Sequence, residues 1–205
     1  MTTPGLPPPR PGAITGVILA GGMSRRMGSD GAAVDKGLAM FRGRPMVAWV
    51  IERLRGQIDE LLLNANRNAA QYARFGPPVI RDRIAGFAGP LAGMDAAMAV
   101  ASHAWVLSVP CDSPFLPNDL VERMAAAVAT AGVPLGVARS GGREQSVFLL
   151  AHRSLAPGIA RYLDAGESKV GRWYAPISHA MVDFDDPAAF RNINTPEQLA
   201  RFADG

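Results

Sequence analysis

The sequence predicts one α/β domain, built on a mostly parallel β-sheet with helices on both faces. From Ile14 onward, short apolar runs alternate with segments of helical periodicity. These runs are uniformly apolar, which is typical of parallel strands that are buried on both faces. The chain has 205 residues, of which 48% are hydrophobic and 19% are charged. This length and composition fit a single domain with a substantial core.

The strands are predicted where the apolar runs are short and end in turn-forming or polar residues. They cover residues 15–19, 60–63, 79–80, 105–109, 134–138, 146–151 and 180–184. Helices are predicted over residues 45–57, 91–102, 120–131, 155–165 and 170–174. The segments 134–138 and 146–151 are candidates for an antiparallel pair.

Two helices carry clear local signals. In the first, Met46, Val50 and Leu54 stand at i, i+4 and i+8, which is the spacing of an amphipathic helix. The last is predicted to begin after Thr195, because a proline and then, two positions further, a glutamine follow it. An N-cap threonine, a proline at the first helical position and a glutamine at the third are typical of a helix start.

Charge and composition narrow the classes of ligand. The net charge is +3 and the basic residues form no runs, so a nucleic-acid surface is not predicted. The mild excess of positive charge favours an anionic small ligand. No apolar run approaches the roughly 18 residues that a membrane span requires, and no membrane partner is expected.

The termini and the cysteine content suggest a location and a boundary. Residues 1–12 are rich in proline and lack the apolar stretch of a secretory signal, so we predict a disordered leader there and a single domain over 13–205. Cys111 is the one cysteine, which excludes an internal disulfide and fits a reducing compartment. We therefore expect a cytoplasmic protein.

Polar residues follow the predicted strands directly. Ala20-Gly21-Gly22, the segment 64–67, Asp82 and Asp112 each come immediately after an apolar run. Ligands of parallel sheets bind at the carboxyl ends of the strands. These residues are therefore predicted to form a site.

The glycine-rich segment after the first strand is suited to an anion. Gly21 and Gly22 allow backbone N–H groups to approach a phosphate closely, and Arg25, Arg26 and Lys36 add positive charge. The segment matches neither a P-loop nor a dinucleotide-binding fingerprint. An ordinary turn with solvated charges remains an alternative at this point.

Asp112 is the candidate metal ligand. It stands between Pro110 and Pro114 at the end of a predicted strand, and Mg²⁺ in nucleotide sites takes one or two carboxylates together with substrate phosphates. The alternative is that Asp112 caps the helix that begins near Asn118. Cys111 is interpreted as a packed side chain, and the three histidines lack metal-ligand spacing.

Taken together, these segments resemble the molybdenum cofactor guanylyltransferases, nucleotidyltransferases with a GT-A-like, Rossmann-type three-layer α/β/α fold. The resemblance runs from about residue 14 to residue 202. The matching segments are Leu19-Ala20-Gly21-Gly22, Arg26-Met27-Gly28, Asp35-Lys36-Gly37, Asn64-Ala65-Asn66-Arg67, Asp82, Gly89-Pro90-Leu91-Ala92-Gly93, Pro110-Cys111-Asp112-Ser113-Pro114 and Asn192-Ile193-Asn194-Thr195-Pro196-Glu197.

The resemblance implies transfer of GMP from GTP to the terminal phosphate of molybdopterin, which usually carries molybdenum, with release of pyrophosphate. It also implies Mg²⁺ as cofactor, with molybdenum-insertion proteins, molybdoenzymes or their chaperones as partners. We expect a monomer. The residues it implies are Leu19, Ala20, Gly21, Gly22, Asn64 and Asp82 for the nucleotide, Lys36 and Asp112 for nucleotide and catalysis, Asp112 for the metal, Arg26 for catalysis, and Gly89, Asn192 and Asn194 for the substrate.

Two segments depart from the family pattern. Residues 29–33 lengthen the loop before Asp35-Lys36, and Glu144-Gln145-Ser146-Val147 stands where a Gln-Pro or His-Pro pair is expected. Alternatives are a cytidylyltransferase that uses CTP, another small-molecule phosphate nucleotidyltransferase, or a non-catalytic nucleotide-binding partner of molybdoenzymes. Gly22 favours guanine over cytosine, and the presence of both Lys36 and Asp112 favours an enzyme.

Overall fold

A computed structural model describes residues 6–10, 12–20, 23–24, 34–84 and 89–203. Its β-strands are β1 (Ile14–Leu19), β2 (Met23–Ser24), β3 (Val34–Asp35), β4 (Met40–Phe41), β5 (Arg44–Pro45), β6 (Glu60–Asn64), β7 (Val79–Ile80), β8 (Trp105–Pro110), β9 (Leu135–Ser140), β10 (Arg143–His152) and β11 (Ala180–Phe184). Its α-helices are α1 (Met46–Arg55), α2 (Ala69–Tyr72), α3 (Pro90–Val100), α4 (Leu120–Ala131), α5 (Ala156–Asp164), α6 (Val170–Tyr174) and α7 (Pro196–Ala203).

One seven-stranded sheet organises the domain, in the order β11-β9-β10-β8-β1-β6-β7. Strand β1 is parallel to β6 and β8, β6 is parallel to β7, and β9 is parallel to β11. Strand β10 is antiparallel to both of its neighbours, β8 and β9. The mostly parallel sheet and the antiparallel pair at β9 and β10 are therefore confirmed.

Helices cover both faces of this sheet, which confirms the three-layer prediction. Ile18 packs into a core cluster with the apolar faces of α1 and α4. Its neighbour Val17 points the other way, into a cluster with α3, α5 and α6. Adjacent strand residues point to opposite faces, so an uninterrupted apolar run such as 17–19 is what a doubly covered strand requires.

The boundaries agree with the sequence prediction to within a few residues. Helix α4 and strand β11 have the predicted bounds. The predicted cap of α7 also forms, because the Thr195 hydroxyl accepts from the Gln198 N–H at 3.2 Å. The sequence prediction did not include the short hairpin of β4 and β5 or the four-residue helix α2.

Part of the proline-rich N-terminal segment is described and contacts the domain. The Trp105 indole donates a hydrogen bond of 3.0 Å to the Pro7 carbonyl. The boundary at residue 13 and the disorder of the leader remain predictions, and residues 1–5 and 11 lie outside the described residues. Across the described ranges, no helix combines the length and hydropathy needed to cross a bilayer.

Candidate functional site

The centre of the candidate site is a contact between Lys36, Asp112 and Asn194. The Lys36 ammonium donates to Asp112 Oδ2 at 3.0 Å and also to the Asn194 side-chain oxygen. Asp112 lies two residues after the end of β8, and Asn194 lies just before α7, so the cluster joins three segments that are distant in sequence. The structure thus brings together three residues that the sequence assigns to one site.

The segment that carries Asn194 is held against the segment that carries Asp112. The Ile193 N–H donates to the Asp112 carbonyl at 2.9 Å, and the Ser113 hydroxyl donates to the Asn192 side-chain oxygen at 2.5 Å. Ser113 and Ile193 are both fully buried. Asn192 therefore helps to position the site through Ser113.

Asp112 has one oxygen without a partner. The residue is 6% exposed and its Oδ2 is bound to Lys36, yet its Oδ1 is buried and has no hydrogen-bond partner among the described residues. A buried carboxylate oxygen without a partner is costly, and such atoms in native structures call for an explanation. A divalent cation is one explanation that suits the chemistry of a carboxylate.

The alternative role of Asp112 as a helix cap is wrong. Helix α4 begins at Leu120 and its N-cap residue is Asp119. The Asp112 side chain instead faces Lys36.

Lys36 stands on a 3₁₀ turn (Lys36–Leu38) that the Asp35 carboxylate holds in place. Asp35 accepts from the Gly37 N–H at 3.2 Å, from the Asn68 side chain at 2.9 Å and from the Tyr72 hydroxyl. A Cβ on Gly37 would overlap the Tyr72 hydroxyl oxygen, so this position requires glycine. Burial, together with the nearby Cys111 and Asp35, raises the pKa of Tyr72, and its hydroxyl remains a hydrogen-bond donor.

A second polar cluster lies after β6 and β7. Asp82 accepts from the Asn64 side chain at 2.9 Å and from the Asn66 side chain at 2.7 Å, and its own N–H donates to Asn66 at 2.9 Å. Asn64 is 4% exposed. A Cβ on Gly93 of α3 would lie 2.5 Å from Asn64 Oδ1 and 2.6 Å from Leu19 Cδ2. Glycine at position 93 therefore lets α3 approach this cluster.

Backbone hydrogen bonds tie the end of β1 to both clusters. The Ala20 N–H donates to the Asn64 carbonyl at 2.8 Å, and the Leu19 carbonyl accepts from the Cys111 N–H at 3.2 Å. Leu19 and Ala20 therefore lie between the Asn64 cluster and the Asp112 cluster, as expected for residues at the carboxyl end of a central strand.

The remaining predicted residues fall into two groups. Gly21, Gly22, Arg25, Arg26 and the loop 29–33 lie outside the described residues. Gly89 lies at the start of α3 with a φ of 76°, and among the described residues no hydrogen bond joins it to either cluster. A residue with a side chain would be strained in this left-handed conformation.

Cys111 and the histidines match their predicted structural roles. Cys111 is 4% exposed, and burial, together with the charge of Asp112, raises the pKa of its thiol. His152 pairs with Trp105 across β10 and β8, at the amino end of β8. His103 precedes β8 and His179 precedes β11, so all three histidines lie toward the edge of the sheet opposite Asp112.

Three residues that shape the site were not predicted from the sequence. Ser113 and Asp35 stand inside segments that match the family, but no role was predicted for them, and Tyr72 lies outside those segments. Asn66 belongs to the predicted segment 64–67, where it repeats the amide of Asn64 two positions later, on the same side of an extended chain.

A separate cavity of about 650 Å³ is lined by residues that include Arg42, Arg191 and Phe202. Its lining includes none of the predicted site residues. The predicted site residues Asn64 and Asp112 lie instead at the carboxyl ends of β6 and β8.

Comparison with known proteins gives a consistent result. Residues 16–180 match the model of the MobA-like NTP transferase domain. A Shewanella putrefaciens protein named molybdenum cofactor guanylyltransferase is 50% identical over 191 residues, covering 93% of this chain and 96% of the relative.

Solved structures share the fold. The molybdopterin-guanine dinucleotide biosynthesis protein A of Archaeoglobus fulgidus superposes with a TM-score of 0.78 at 21% identity, over 93% of this chain and 97% of that one. A Mycobacterium tuberculosis protein solved in complex with manganese has a TM-score of 0.66 at 18% identity, over 94% of this chain and 99% of that one.

Proposed function

This chain belongs to the molybdenum cofactor guanylyltransferases, within the MobA-like NTP transferase family, and we propose that it transfers GMP from GTP to the terminal phosphate of molybdopterin. The products are the molybdopterin guanine dinucleotide and pyrophosphate. The observation that carries the chemistry is the pairing of Lys36 with Asp112, which leaves Asp112 Oδ1 buried without a partner among the described residues.

Asp112 is the proposed ligand of Mg²⁺. Its free oxygen and its place at the end of β8 fit a cation that also binds substrate phosphates. When bound, Mg²⁺ neutralises charge on the phosphates and polarises them toward attack. Among the described residues, no group of three or more His, Cys, Asp or Glu side chains could hold a metal alone, so the phosphates would complete the coordination.

The remaining work is positioning and charge neutralisation. The acceptor is already a phosphate anion, so its oxygen attacks the α-phosphorus of GTP without a general base, and the bond to the β-phosphate oxygen breaks. Lys36 offsets the charge that develops on the α-phosphate and the leaving pyrophosphate. Arg26, outside the described residues, is proposed to assist it.

The nucleotide is proposed to lie along the end of β1. Backbone groups of Leu19, Ala20, Gly21 and Gly22 would contact its phosphates. The Asn64 and Asp82 cluster is proposed to hold the nucleoside, because its side chains are fixed by mutual hydrogen bonds. Asn194 would position Lys36, and Asn192 and Gly89 are proposed to help shape the substrate side.

We further propose that the enzyme acts as a monomer in the cytoplasm. Its small-molecule partners would be GTP and molybdopterin. Molybdenum-insertion proteins and molybdoenzymes or their chaperones are proposed as protein partners.

The direct test is incubation of the purified protein with Mg²⁺, molybdopterin and either GTP or CTP. We expect pyrophosphate and the guanine dinucleotide with GTP, and neither product when molybdopterin or Mg²⁺ is left out. Turnover with CTP and not with GTP would overturn the assignment of the base.

A further inference from the structure

The first residues of β10 lie at the same edge of the sheet as Asp112, because β10 is the antiparallel strand. Leu149 pairs with Ser108 of β8, so the residues before Leu149 run alongside those that follow Ser108. The Ser108 hydroxyl donates to the Val147 carbonyl at 2.7 Å. The pairing of β10 with β9 shifts between Gln145 and Leu149, and such bulges are frequent beside active sites.

Glu144 is held in a defined position at this edge. Tyr174 of α6 is 3% exposed, and its hydroxyl donates to Glu144 Oε2 at 2.5 Å. The neighbouring Arg139 is engaged by Asp183 through two contacts of 2.6 Å. Among the described residues, no ion pair includes Glu144, although the residue is exposed. A carboxylate oriented by a buried tyrosine therefore faces solvent at the end of the sheet that carries Asp112.

In strand order, Glu144 and the Asn64 cluster lie on opposite sides of Asp112, the proposed reaction centre. Along the sheet edge the order is β6 with Asn64, then β1 and β8, then β10. Three strand spacings separate β6 from β10, or about 14 Å. A dinucleotide joined through two phosphates can cover this span, with its phosphates over β1 and β8.

We propose that Glu144 anchors the acceptor substrate by accepting hydrogen bonds from the amino-pyrimidinone edge of its pterin ring. This inference rests on the proposed function, since it takes molybdopterin as the acceptor. A 2-amino-4-oxo ring presents two adjacent N–H donors, and one carboxylate accepts both, with the strength of charge-assisted hydrogen bonds. Tyr174 is a positioning residue that fixes the orientation of Glu144.

Guanine carries the same donor edge, so the chemistry alone does not choose between the two rings. The position of Glu144 favours the pterin ring, because the proposed nucleoside cluster at Asn64 and Asp82 lies on the other side of Asp112 from Glu144. Glu144 is therefore assigned to the acceptor and not to GTP.

The sharpest test compares the binding of two small fluorescent compounds, pterin and lumazine, and uses their fluorescence to measure the affinity. Pterin has the 2-amino group, whereas lumazine has an oxygen in its place. We expect the wild-type protein to bind pterin at least tenfold more tightly than lumazine, and molybdopterin but not GTP to displace it. We expect Glu144→Gln to lose this preference for pterin. Equal binding of the two rings by the wild-type protein, or displacement of pterin by GTP, would overturn the proposal.

Transfer kinetics supply the second readout. Glu144→Gln is expected to raise the KM for molybdopterin at least tenfold while the KM for GTP changes less than twofold. Tyr174→Phe is expected to raise the KM for molybdopterin by a smaller factor, with kcat retained. Glu52→Gln, which removes an exposed carboxylate on α1, serves as the matched control and should leave both KM values unchanged.

The outcomes separate this inference from the proposed function. A wild-type protein that prefers pterin but forms no dinucleotide would contradict the proposed transfer and support the ring site. A wild-type protein that forms the dinucleotide, together with a Glu144→Gln variant of unchanged KM for molybdopterin, would contradict the ring site alone.

Discussion

Glu60 and Asp112 lie at opposite ends of the strands of one sheet, and their carboxylates differ in how many of their oxygens have hydrogen-bond partners. Glu60, at the start of β6, accepts from the Thr15 hydroxyl at 2.6 Å and from the N–H and the hydroxyl of Ser102, each at 2.8 Å. Both of its oxygens have partners. Asp112, after β8, is bonded to Lys36 through its Oδ2, and its Oδ1 has no partner among the described residues.

This difference separates a structural carboxylate from a functional one. A fully bonded carboxylate stabilises the fold, because its donors favour the ionised form. A half-bonded one is costly until a ligand or cation completes it, so it is retained where function requires it. Substitution at the two positions should therefore affect different properties.

The largest effect is expected for Asp112→Asn. An amide neither pairs with Lys36 nor binds a cation strongly, so turnover should fall by about 10³-fold or more. Pyrophosphate release with GTP and molybdopterin measures this loss, and a melting temperature close to that of the wild-type protein would show that the fold is intact. Asp119→Asn removes an exposed carboxylate a few residues further on and should keep full activity. Full activity of Asp112→Asn would contradict the metal assignment.

Removal of the Lys36 charge is expected to have the next largest effect. Lys36→Met should lower kcat by about 10²-fold, because charge on the leaving pyrophosphate is then less well neutralised. Lys36→Arg keeps the charge but replaces the compact ammonium by a planar guanidinium. Its kcat should therefore lie between those of Lys36→Met and the wild-type protein. Single-turnover measurements at saturating GTP check the order of the three proteins. Equal rates for Lys36→Met and wild type would remove Lys36 from the chemistry.

Much of the fold was predictable from the sequence, because periodicity and strand-end signals are local. The bounds of α4 and β11 were predicted without error. The apolar runs before Asp82 and Asp112 were enough to predict that both residues follow strands. What could not be predicted depends on long-range contacts. Lys36 lies 158 residues from Asn194 in the sequence, and no local pattern encodes that approach. Asn192 and Asn194 were identified only through the family resemblance.

The proposed nucleoside cluster at Asn64 and Asp82 is best tested by a glycine substitution in α3, which packs against it. Gly93→Ala places a methyl group against Asn64 and Leu19, so it should cost about 1–3 kcal/mol of stability and raise the KM for GTP. A Cβ on Gly158 of α5 would meet no atom within 4 Å, so Gly158→Ala should stabilise the protein by about 0.5–1 kcal/mol. Thermal unfolding and GTP kinetics of both variants check this contrast. Wild-type stability and KM in Gly93→Ala would show that α3 can move away from Asn64.

Glu60→Gln is expected to have a small effect on stability and none on activity. Burial raises the pKa of Glu60, but the hydrogen bonds from Thr15 and Ser102 outweigh it, so its pKa lies below the usual value. A lowered pKa in the folded state adds stability above the unfolded pKa, and this stability is lost as the pH falls through the folded pKa. Glu60→Gln should therefore cost about 1 kcal/mol at pH 7 and progressively less below about pH 4. Chemical unfolding across this pH range measures the difference, and guanylyl transfer at pH 7 should be unchanged. A cost that persists undiminished at low pH would contradict the electrostatic origin.

The most direct measurement is binding of Mn²⁺, as a paramagnetic substitute for Mg²⁺, in the presence of GTP. Electron paramagnetic resonance would compare the wild-type protein with Asp112→Asn and with the Asp119→Asn control. We expect the wild-type and Asp119→Asn proteins to bind the Mn²⁺–GTP complex equally, and Asp112→Asn to bind it at least tenfold more weakly. Wild-type affinity in Asp112→Asn would contradict the claim that the unpartnered Asp112 oxygen is the metal ligand of this site.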